Sequence, residues 1–190
     1  MKSPTELANY IESAAKDYDR FVIAISGFGG SGKSTTSAML SSLLGNSTLI
    51  HTDDFIKSDQ DGAKEGYHLN WEILEEQVIN VANTGTALTS RIYDWKTNQP
   101  VFEEILANKY IIIEGSLWLM QNKFKTNFNT TVWVIVPQDI ANARGKKRDN
   151  EVYGINHDEL WDQVWGPRET ESFNKLHPAE NADILLDNIY

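Results

Sequence analysis

The chain lacks several features on which common classes of protein depend. None of its 190 residues is a cysteine, which excludes disulfide bonds, thiolate catalysis and metal sites with cysteine ligands. No apolar run approaches the ~20 residues that a membrane-spanning helix needs, and the first residues show no apolar core of a signal peptide. The sequence therefore predicts no membrane partner, and we expect a cytoplasmic protein.

Positive charge is also scarce: the chain has 17 lysines and arginines but 27 aspartates and glutamates, which gives a formal net charge of −10. A surface this negative repels nucleic acid, so we expect no nucleic-acid partner. Hydrophobic residues make up 41% of the chain, which is enough for a packed core. The length predicts a single domain over residues 1–190. The oligomeric state is open, and a homo-oligomer is one alternative.

Short apolar runs alternate with helical patterns along the chain. Predicted strands cover residues 21–25, 48–51, 110–113, 131–136 and 182–186. Predicted helices cover residues 33–44, 70–83 (stopped at Gly85), 138–148 and 158–175, the last with an interruption at Gly166-Pro167. This alternation predicts an α/β fold of three layers with a central parallel sheet.

A glycine-rich loop follows the first strand. The string Gly27-Phe28-Gly29-Gly30-Ser31-Gly32-Lys33-Ser34 fits the pattern G-x-x-x-x-G-K-[ST] between a strand and a helix. Backbone N–H groups and the helix dipole would bind phosphates there, with Lys33 at the β- and γ-phosphates and Ser34 on Mg²⁺. The residues predicted to bind the nucleotide are Gly27, Gly29, Gly30, Ser31, Gly32, Lys33, Ser34 and Thr35.

The nucleotide is predicted to be ATP. A guanine-binding site would normally carry an Asn-Lys-x-Asp motif after a later strand, and the nearest string, Asn122-Lys123-Phe124-Lys125, lacks the aspartate. We therefore expect Mg-ATP on the loop, within the P-loop nucleoside triphosphate hydrolase fold.

Two acidic sites follow other predicted strands. Asp53 and Asp54 come after the second strand, and Glu114 closes the strand at 110–113. Ligands of open α/β sheets lie beyond these strand ends. Phosphoryl transfer needs a group that orients or deprotonates the acceptor and a group that positions the metal. Asp53 is predicted to do the first, with an indirect role at the metal, and Glu114 the second. The alternative for the Asp pair is a helix cap or turn. His51, just before it, is interpreted as a strand-end residue without chemistry.

The order of the short motifs resembles that of a known family. The strings GFGGSGKS, HTDDFIK, SRIYDWK and YIIIEGS, followed by an arginine-rich helix and ADILLD, resemble the uridine kinase and phosphoribulokinase-like group of P-loop small-molecule kinases. The resemblance runs from about Phe21 to Asp187. It implies an ATP-dependent kinase that phosphorylates a hydroxyl of a small molecule, with Asp53 as general base, Glu114 at the metal, and Tyr93 and Asp94 in the acceptor pocket.

Two positions depart from the nucleoside-binding members of that group. Those members carry a histidine five residues after the tyrosine, where this chain has Asn98. They also carry an aspartate that binds the ribose hydroxyls, where this chain has Asn70. Neither position belongs to the residues predicted to carry out phosphoryl transfer. The identity of the acceptor therefore stays open.

Three further residues are candidates for acceptor binding. Trp95 follows Tyr93-Asp94 and offers a stacking surface for a planar substrate. His68 lies near the expected pocket, with an exposed loop position as the alternative. Arg91 would recognise an anionic group on the acceptor, with a salt bridge to a neighbouring acid as the alternative.

Basic residues are concentrated in one helix. Arg144, Lys146, Lys147 and Arg148 fall within five positions, and three of them share a helix face. A solvated helix end that complements the dipole is one interpretation. The other is a lid over residues 144–160 that brings cations to the transferring phosphoryl group. The family resemblance places lid arginines here and implies this role for Arg148, and we also predict nucleotide contact by Arg144.

A second hypothesis comes from a different functional class. A P-loop protein can bind ATP, hydrolyse it slowly and regulate a partner without any small-molecule acceptor. Such a protein has no need for an acid at Asp53 together with the Tyr93-Asp94-Trp95 segment and a basic lid. The sequence therefore favours the kinase.

Overall fold

The computed structural model describes residues 3–55, 73–94, 97 and 99–188. Its strands are β1 Phe21–Gly27, β2 Ser47–His51, β3 Leu88–Asp94, β4 Gln99–Ile105, β5 Tyr110–Gly115, β6 Thr130–Ile135 and β7 Ile184–Asp187. Five of them form a parallel sheet in the order β2-β5-β1-β6-β7, and β3 pairs with β4 in a separate antiparallel hairpin. The prediction of a central parallel sheet is confirmed.

Helices surround the sheet and connect its strands. The α-helices are α1 Pro4–Ala14, α2 Lys33–Leu44, α3 Asn80–Thr84, α4 Asn122–Lys125, α5 Gln138–Glu151, α6 Asp158–Leu160, α7 Gly166–Leu176 and α8 Pro178–Asn181. Short 3₁₀ turns cover Thr52–Asp54 and Leu117–Met120, and π-helical turns cover Leu74–Ile79 and Trp161–Trp165. Within the described parts of the chain, no helix has the length and apolar character needed to cross a membrane.

The sheet is buried on both faces, which explains its continuous apolar strands. Ile112 of β5 packs with Leu7 of α1 and Leu40 of α2 on one face. Its neighbours Ile111 and Ile113 point to the opposite face and pack with Val78, Phe124 and other residues of a second cluster. Alternate residues of one strand therefore serve two hydrophobic layers, and the predicted three-layer arrangement is confirmed.

Two of the predicted helices differ from their expected form. The helix predicted for 70–83 is described from residue 73 onward, and it begins as the π-helical turn before continuing as α3; its stop at Gly85, with φ of 73°, is confirmed. The predicted interruption at Gly166-Pro167 is wrong. The chain stays helical there, with the π-helical turn Trp161–Trp165 directly before α7. Pro167 lies in the first turn of α7, directly after the π-helical turn.

The hairpin of β3 and β4 was not predicted. Its register pairs Arg91 with Phe102 and Ile92 with Val101, and both strands carry many polar residues, so they lack the apolar runs that mark the central sheet. The hairpin attaches to the second hydrophobic cluster through Ile105, with Leu88 and Ile92 packed against it. It therefore forms a half-solvated addition to one side of the sheet.

Candidate active site

The glycine-rich loop joins β1, the central strand, to α2. Gly30 and Gly32 have φ angles of 77° and 85°, which only glycine adopts without strain. A side chain at Gly30 would also collide with the backbone carbonyl of Ala141 in α5. The loop is therefore held closely against α5, and its conformation requires glycine at both positions.

The predicted nucleotide-binding residues come together at the start of α2. Lys33 is 9% exposed and Ser31 is fully buried. The N-cap of α2 is Gly32, which has no side chain to cap the helix, so the first N–H groups of α2 are suited to bind an anion. This is the geometry that a phosphate-binding loop needs.

Glu114 lies directly beside Ser34. Because β2 and β5 are parallel and pair His51 with Glu114, these two side chains are neighbours at the carboxyl edge of the sheet. Glu114 Oε1 accepts a hydrogen bond from Ser34 Oγ at 3.1 Å and lies 2.9 Å from His51 Nδ1. His51 is thus a strand-end residue, as expected, but it contacts a candidate metal ligand.

The electrostatics keep Glu114 ionised. Burial alone would raise the pKa of Glu114, but the hydrogen bond with His51 and the charge of Lys33 lower the pKa below its ordinary value. The same hydrogen bond raises the pKa of His51, against the opposing effect of its burial. A buried carboxylate that stays charged is suited to a cation.

The residues around Glu114 fit a magnesium ion. Glu114 Oε2 is buried and has no hydrogen-bond partner within the described part of the chain, and the Ser34 hydroxyl is adjacent. Mg²⁺ prefers oxygen ligands and usually combines one or two carboxylates with phosphates and waters. Glu114 and Ser34 would supply the protein ligands of such a site.

Asp53 lies in the 3₁₀ turn that follows β2. The residue is exposed, but the protein around it removes part of its hydration. This desolvation raises the pKa of Asp53, and the nearby charge of Lys33 opposes the rise. Asp53, Glu114 and Lys33 are therefore within electrostatic reach of one another, as expected for groups that share one reaction site.

The acceptor-side candidates lie on the hairpin. β3 packs beside the Thr52–Asp54 turn and carries Arg91 and Tyr93, both half-buried. Asp94 Oδ2 accepts a hydrogen bond from Thr97 Oγ1 at 2.8 Å. The other acceptor candidates, His68 and Trp95, lie outside the described residues, and so do Asn70 and Asn98.

The basic helix α5 directs its arginines to two different partners. Arg144 Nη1 donates to the Asn188 carbonyl at 3.0 Å, and the Asn188 side chain donates to the Ser31 carbonyl at 2.7 Å. Arg148 instead pairs with Asp149, and its positive charge partly opposes the rise in the pKa of Asp53. Arg144 is thus linked to the phosphate loop through Asn188, and Arg148 lies within electrostatic reach of Asp53.

Sequence reasoning missed Asn188 and also two residues of the 158–176 segment that touch the phosphate loop. Glu169 of α7 accepts a hydrogen bond from the Gly29 N–H at 2.8 Å, and burial raises the pKa of Glu169. Trp161 packs so closely on Gly29 and Gly145 that a side chain at either glycine would collide with its ring. No motif points to either residue, because both reach the loop only through the packing of the 158–176 segment.

Comparison with known sequences places the chain among kinases. The model of the family "Phosphoribulokinase / Uridine kinase family" matches residues 57–188. A uridine kinase of Borrelia garinii subsp. bavariensis is 23% identical over 176 residues, covering 87% of this chain and 85% of the relative. The nicotinamide riboside kinase of Saccharomyces cerevisiae is 25% identical over 155 residues, covering 67% and 65%.

Comparison with solved structures supports the same fold. A putative fructose transport system kinase from Silicibacter sp. TM1040 superposes with a TM-score of 0.78 at 18% identity, covering 97% of this chain and 99% of that one. A possible uridine kinase from Bacillus stearothermophilus gives a TM-score of 0.67 at 21% identity, covering 96% and 100%. With the family match over most of the chain, these findings show that the chain belongs to the phosphoribulokinase / uridine kinase family and is an ATP-dependent kinase that phosphorylates a hydroxyl of a small molecule.

Proposed function

We propose that this kinase uses Mg-ATP to phosphorylate the hydroxyl of a nucleoside or a similar ring-bearing alcohol. The observation that carries the proposal is the meeting of three groups at one edge of the sheet. Ser34 and Glu114 are hydrogen-bonded beside the phosphate loop, and Asp53 lies within electrostatic reach of both Glu114 and Lys33. A metal position, a phosphate position and a base are thereby adjacent.

The donor side holds the triphosphate. Backbone N–H groups of the phosphate loop and of the start of α2, together with the amino group of Lys33, bind its phosphates, and Ser34 and Glu114 ligate Mg²⁺. When bound, the metal neutralises charge that develops on the phosphates during transfer. Lys33 adds a second positive charge that is nearly buried, where its field is less screened by water than on the surface.

Asp53 accepts the proton of the acceptor. The hydroxyl oxygen attacks the γ-phosphorus, the bond from that phosphorus to the ADP oxygen breaks, and the hydroxyl proton passes to the Asp53 carboxylate. A raised pKa makes this carboxylate a stronger base than an ordinary aspartate. Asp53 is exposed, which leaves room for a substrate hydroxyl.

The acceptor is a small alcohol that carries a ring. Relatives of this chain are named uridine kinase and nicotinamide riboside kinase, and both named substrates are ribosides. Tyr93, Asp94, Trp95, His68 and Arg91 are the residues that we propose to contact the acceptor. Because Asn98 and Asn70 depart from the pattern of nucleoside-binding members, uridine and cytidine are not favoured over other ribosides.

The lid of residues 144–160 covers the reacting groups. Arg148 screens the charge of the transferring phosphoryl group, and Arg144 supports the nucleotide site through Asn188. The whole of 1–190 is proposed to be a single kinase domain. Assembly into a homo-oligomer stays a prediction.

The test is ADP production from Mg-ATP with a panel of acceptors. The panel contains uridine, cytidine, nicotinamide riboside, other nucleosides, sugars and alcohol-bearing vitamins, and one class should stimulate ADP production sharply. Asp53→Asn should lower the stimulated rate by about 10²-fold or more, the scale of general-base catalysis. The matched control is Asp17→Asn, at an exposed position of the N-terminal segment, which should leave the rate unchanged.

Two results would contradict the proposal. If only alcohols without a ring stimulate turnover, the acceptor class is wrong while the transfer chemistry stands. If Asp53→Asn keeps the stimulated rate of the parent, Asp53 is not the base.

A further inference from the structure

Asp149 is a buried acid at the end of α5. It is 3% exposed, and both of its carboxylate oxygens are engaged. Oδ1 accepts hydrogen bonds from Arg148 Nε at 3.1 Å and Nη2 at 2.8 Å. Oδ2 accepts from Trp161 Nε1 at 2.9 Å and lies 3.2 Å from His157 Nδ1. These partners keep the pKa of Asp149 below its ordinary value although burial opposes this.

The partners of Asp149 connect it to the site of phosphoryl transfer. The Trp161 ring packs on Gly145 of α5 and on Gly29 of the phosphate loop. The Arg148 side chain is 46% exposed, its guanidinium carbon lies 5.3 Å from the centre of the Tyr153 ring, and its charge is felt at Asp53. One carboxylate thus binds both a lid arginine and the tryptophan that touches the loop.

The pairing leaves Arg148 able to bind a phosphate. Asp149 uses the Nε and Nη2 edge of the guanidinium, so the Nη1 amino group remains for an oxygen of the phosphoryl group. An arginine side chain is flexible, and fixing it through two hydrogen bonds before the reaction removes an entropic cost from the transition state. A buried acid is costly unless it is well paired, which is the case for Asp149.

We propose that Asp149 is a positioning residue for phosphoryl transfer, which holds Arg148 over the reacting groups. It acts through Arg148 and does not touch the substrates. This inference rests on the proposed function, because it requires Arg148 to serve the transfer. It explains why the otherwise basic helix α5 contains a buried acid, Asp149.

The experiment is a double-mutant cycle on the acceptor-dependent rate. Asp149→Asn keeps the size of the side chain but loses its charge, and it should lower kcat by about 10-fold with little change in the KM for ATP. Arg148→Ala should lower kcat by a similar or larger factor. In the Arg148→Ala background, Asp149→Asn should cost less than about 2-fold, because residues that act as one unit are not additive.

The matched control is Asp162→Asn. Asp162 also pairs with a cation of α5, Lys146, but its side chain is 64% exposed, so the loss should be small. If Asp149→Asn lowers kcat by the same factor with and without Arg148, Asp149 acts only on the fold and the inference is overturned.

A second variant covers the case in which Asp149→Asn fails to fold. Arg148→Lys keeps the charge but cannot make the paired bonds from Nε and Nη2, so it should be impaired nearly as much as Arg148→Ala, and parental activity would overturn the inference. If the parent itself shows no turnover that depends on an acceptor, the proposed function fails, and this inference fails with it.

Discussion

The two sides of the active site are built from different kinds of structure. The donor side stands on the buried parallel sheet, where Glu114 of β5 is 3% exposed and hydrogen-bonded to Ser34. The proposed acceptor side lies on the hairpin of β3 and β4, whose side chains are mostly half-buried or exposed. The central sheet is held between two hydrophobic layers. The hairpin packs against only one of these layers, through few apolar residues.

This difference separates what relatives share from what distinguishes them. Every ATP-dependent kinase must bind the same triphosphate and move the same phosphoryl group, so the donor side has one task and can be rigid. Acceptors differ in size, charge and ring structure. A half-solvated hairpin can change its side chains without disturbing the central sheet, because its outward positions contribute little to the core.

Removing the charge of Glu114 should impair the donor side with the largest effect and leave acceptor binding unchanged. Glu114→Gln should lower the affinity for Mg²⁺ by about 10- to 100-fold, because the proposed magnesium ligand loses its charge. The measurement is the Mg²⁺ concentration that gives half of the maximal rate. The KM for the acceptor should stay near its parental value, and a loss that falls instead on that KM would contradict the separation of the two sides.

Asp94 tests the acceptor side in the same way with a smaller expected effect. If its carboxylate contacts the acceptor, Asp94→Asn should raise the acceptor KM roughly 10-fold, the scale of a hydrogen bond to a charged group, and leave the KM for ATP unchanged. Thr97→Ala is the matched control, because Thr97 donates to Asp94 and closes the hairpin. Equal effects of both variants would show that Asp94 only supports the turn.

The smallest expected effect concerns Glu169, which links α7 to the donor side. Burial raises the pKa of Glu169 in the folded state above the ordinary value of 4.5, so the folded protein binds the carboxyl proton of Glu169 more tightly than the unfolded chain does. The stability of the fold therefore falls as the pH rises from about 4.5 through the raised pKa. Glu169→Gln removes this loss. The difference in Tm, variant minus parent, should therefore become more positive by roughly 2 °C between about pH 5 and pH 8.

Glu171→Gln is the control for that measurement, since Glu171 is exposed on the same helix. Its difference in Tm should not change with pH. A difference for Glu169→Gln that is also flat with pH would show that the Gly29 contact carries no titrating charge.

The sequence predicted the donor side well and the remainder less well, for physical reasons. Gly30 and Gly32 are visible in a sequence because backbone geometry demands glycine there, and Glu114 is visible because it ends a continuous apolar strand. The bond between His51 and Glu114 depends on β2 lying next to β5, and the order of strands in a parallel sheet has no local signal in the chain.

Residues that act through packing leave even less trace. Trp161 lies in the π-helical turn and packs on Gly29, although the two residues are far apart in the chain. Asn188 reaches Ser31 across the end of the sheet, 157 positions along the chain. Such contacts are set by tertiary structure, so a short motif cannot predict them.

The central claim is that the chain transfers the γ-phosphoryl group to an alcohol, and the fate of that group tests it most directly. ATP labelled in the γ-phosphoryl group should be incubated with Mg²⁺ and the acceptor that best stimulates ADP production, and the products separated. The account predicts that the label appears in a phosphorylated acceptor in equal amount to ADP, and that Asp53→Asn lowers the rate of both by about 10²-fold or more. Label recovered only as inorganic phosphate, at a rate that no acceptor changes, would contradict it and would favour a regulatory ATP-binding protein.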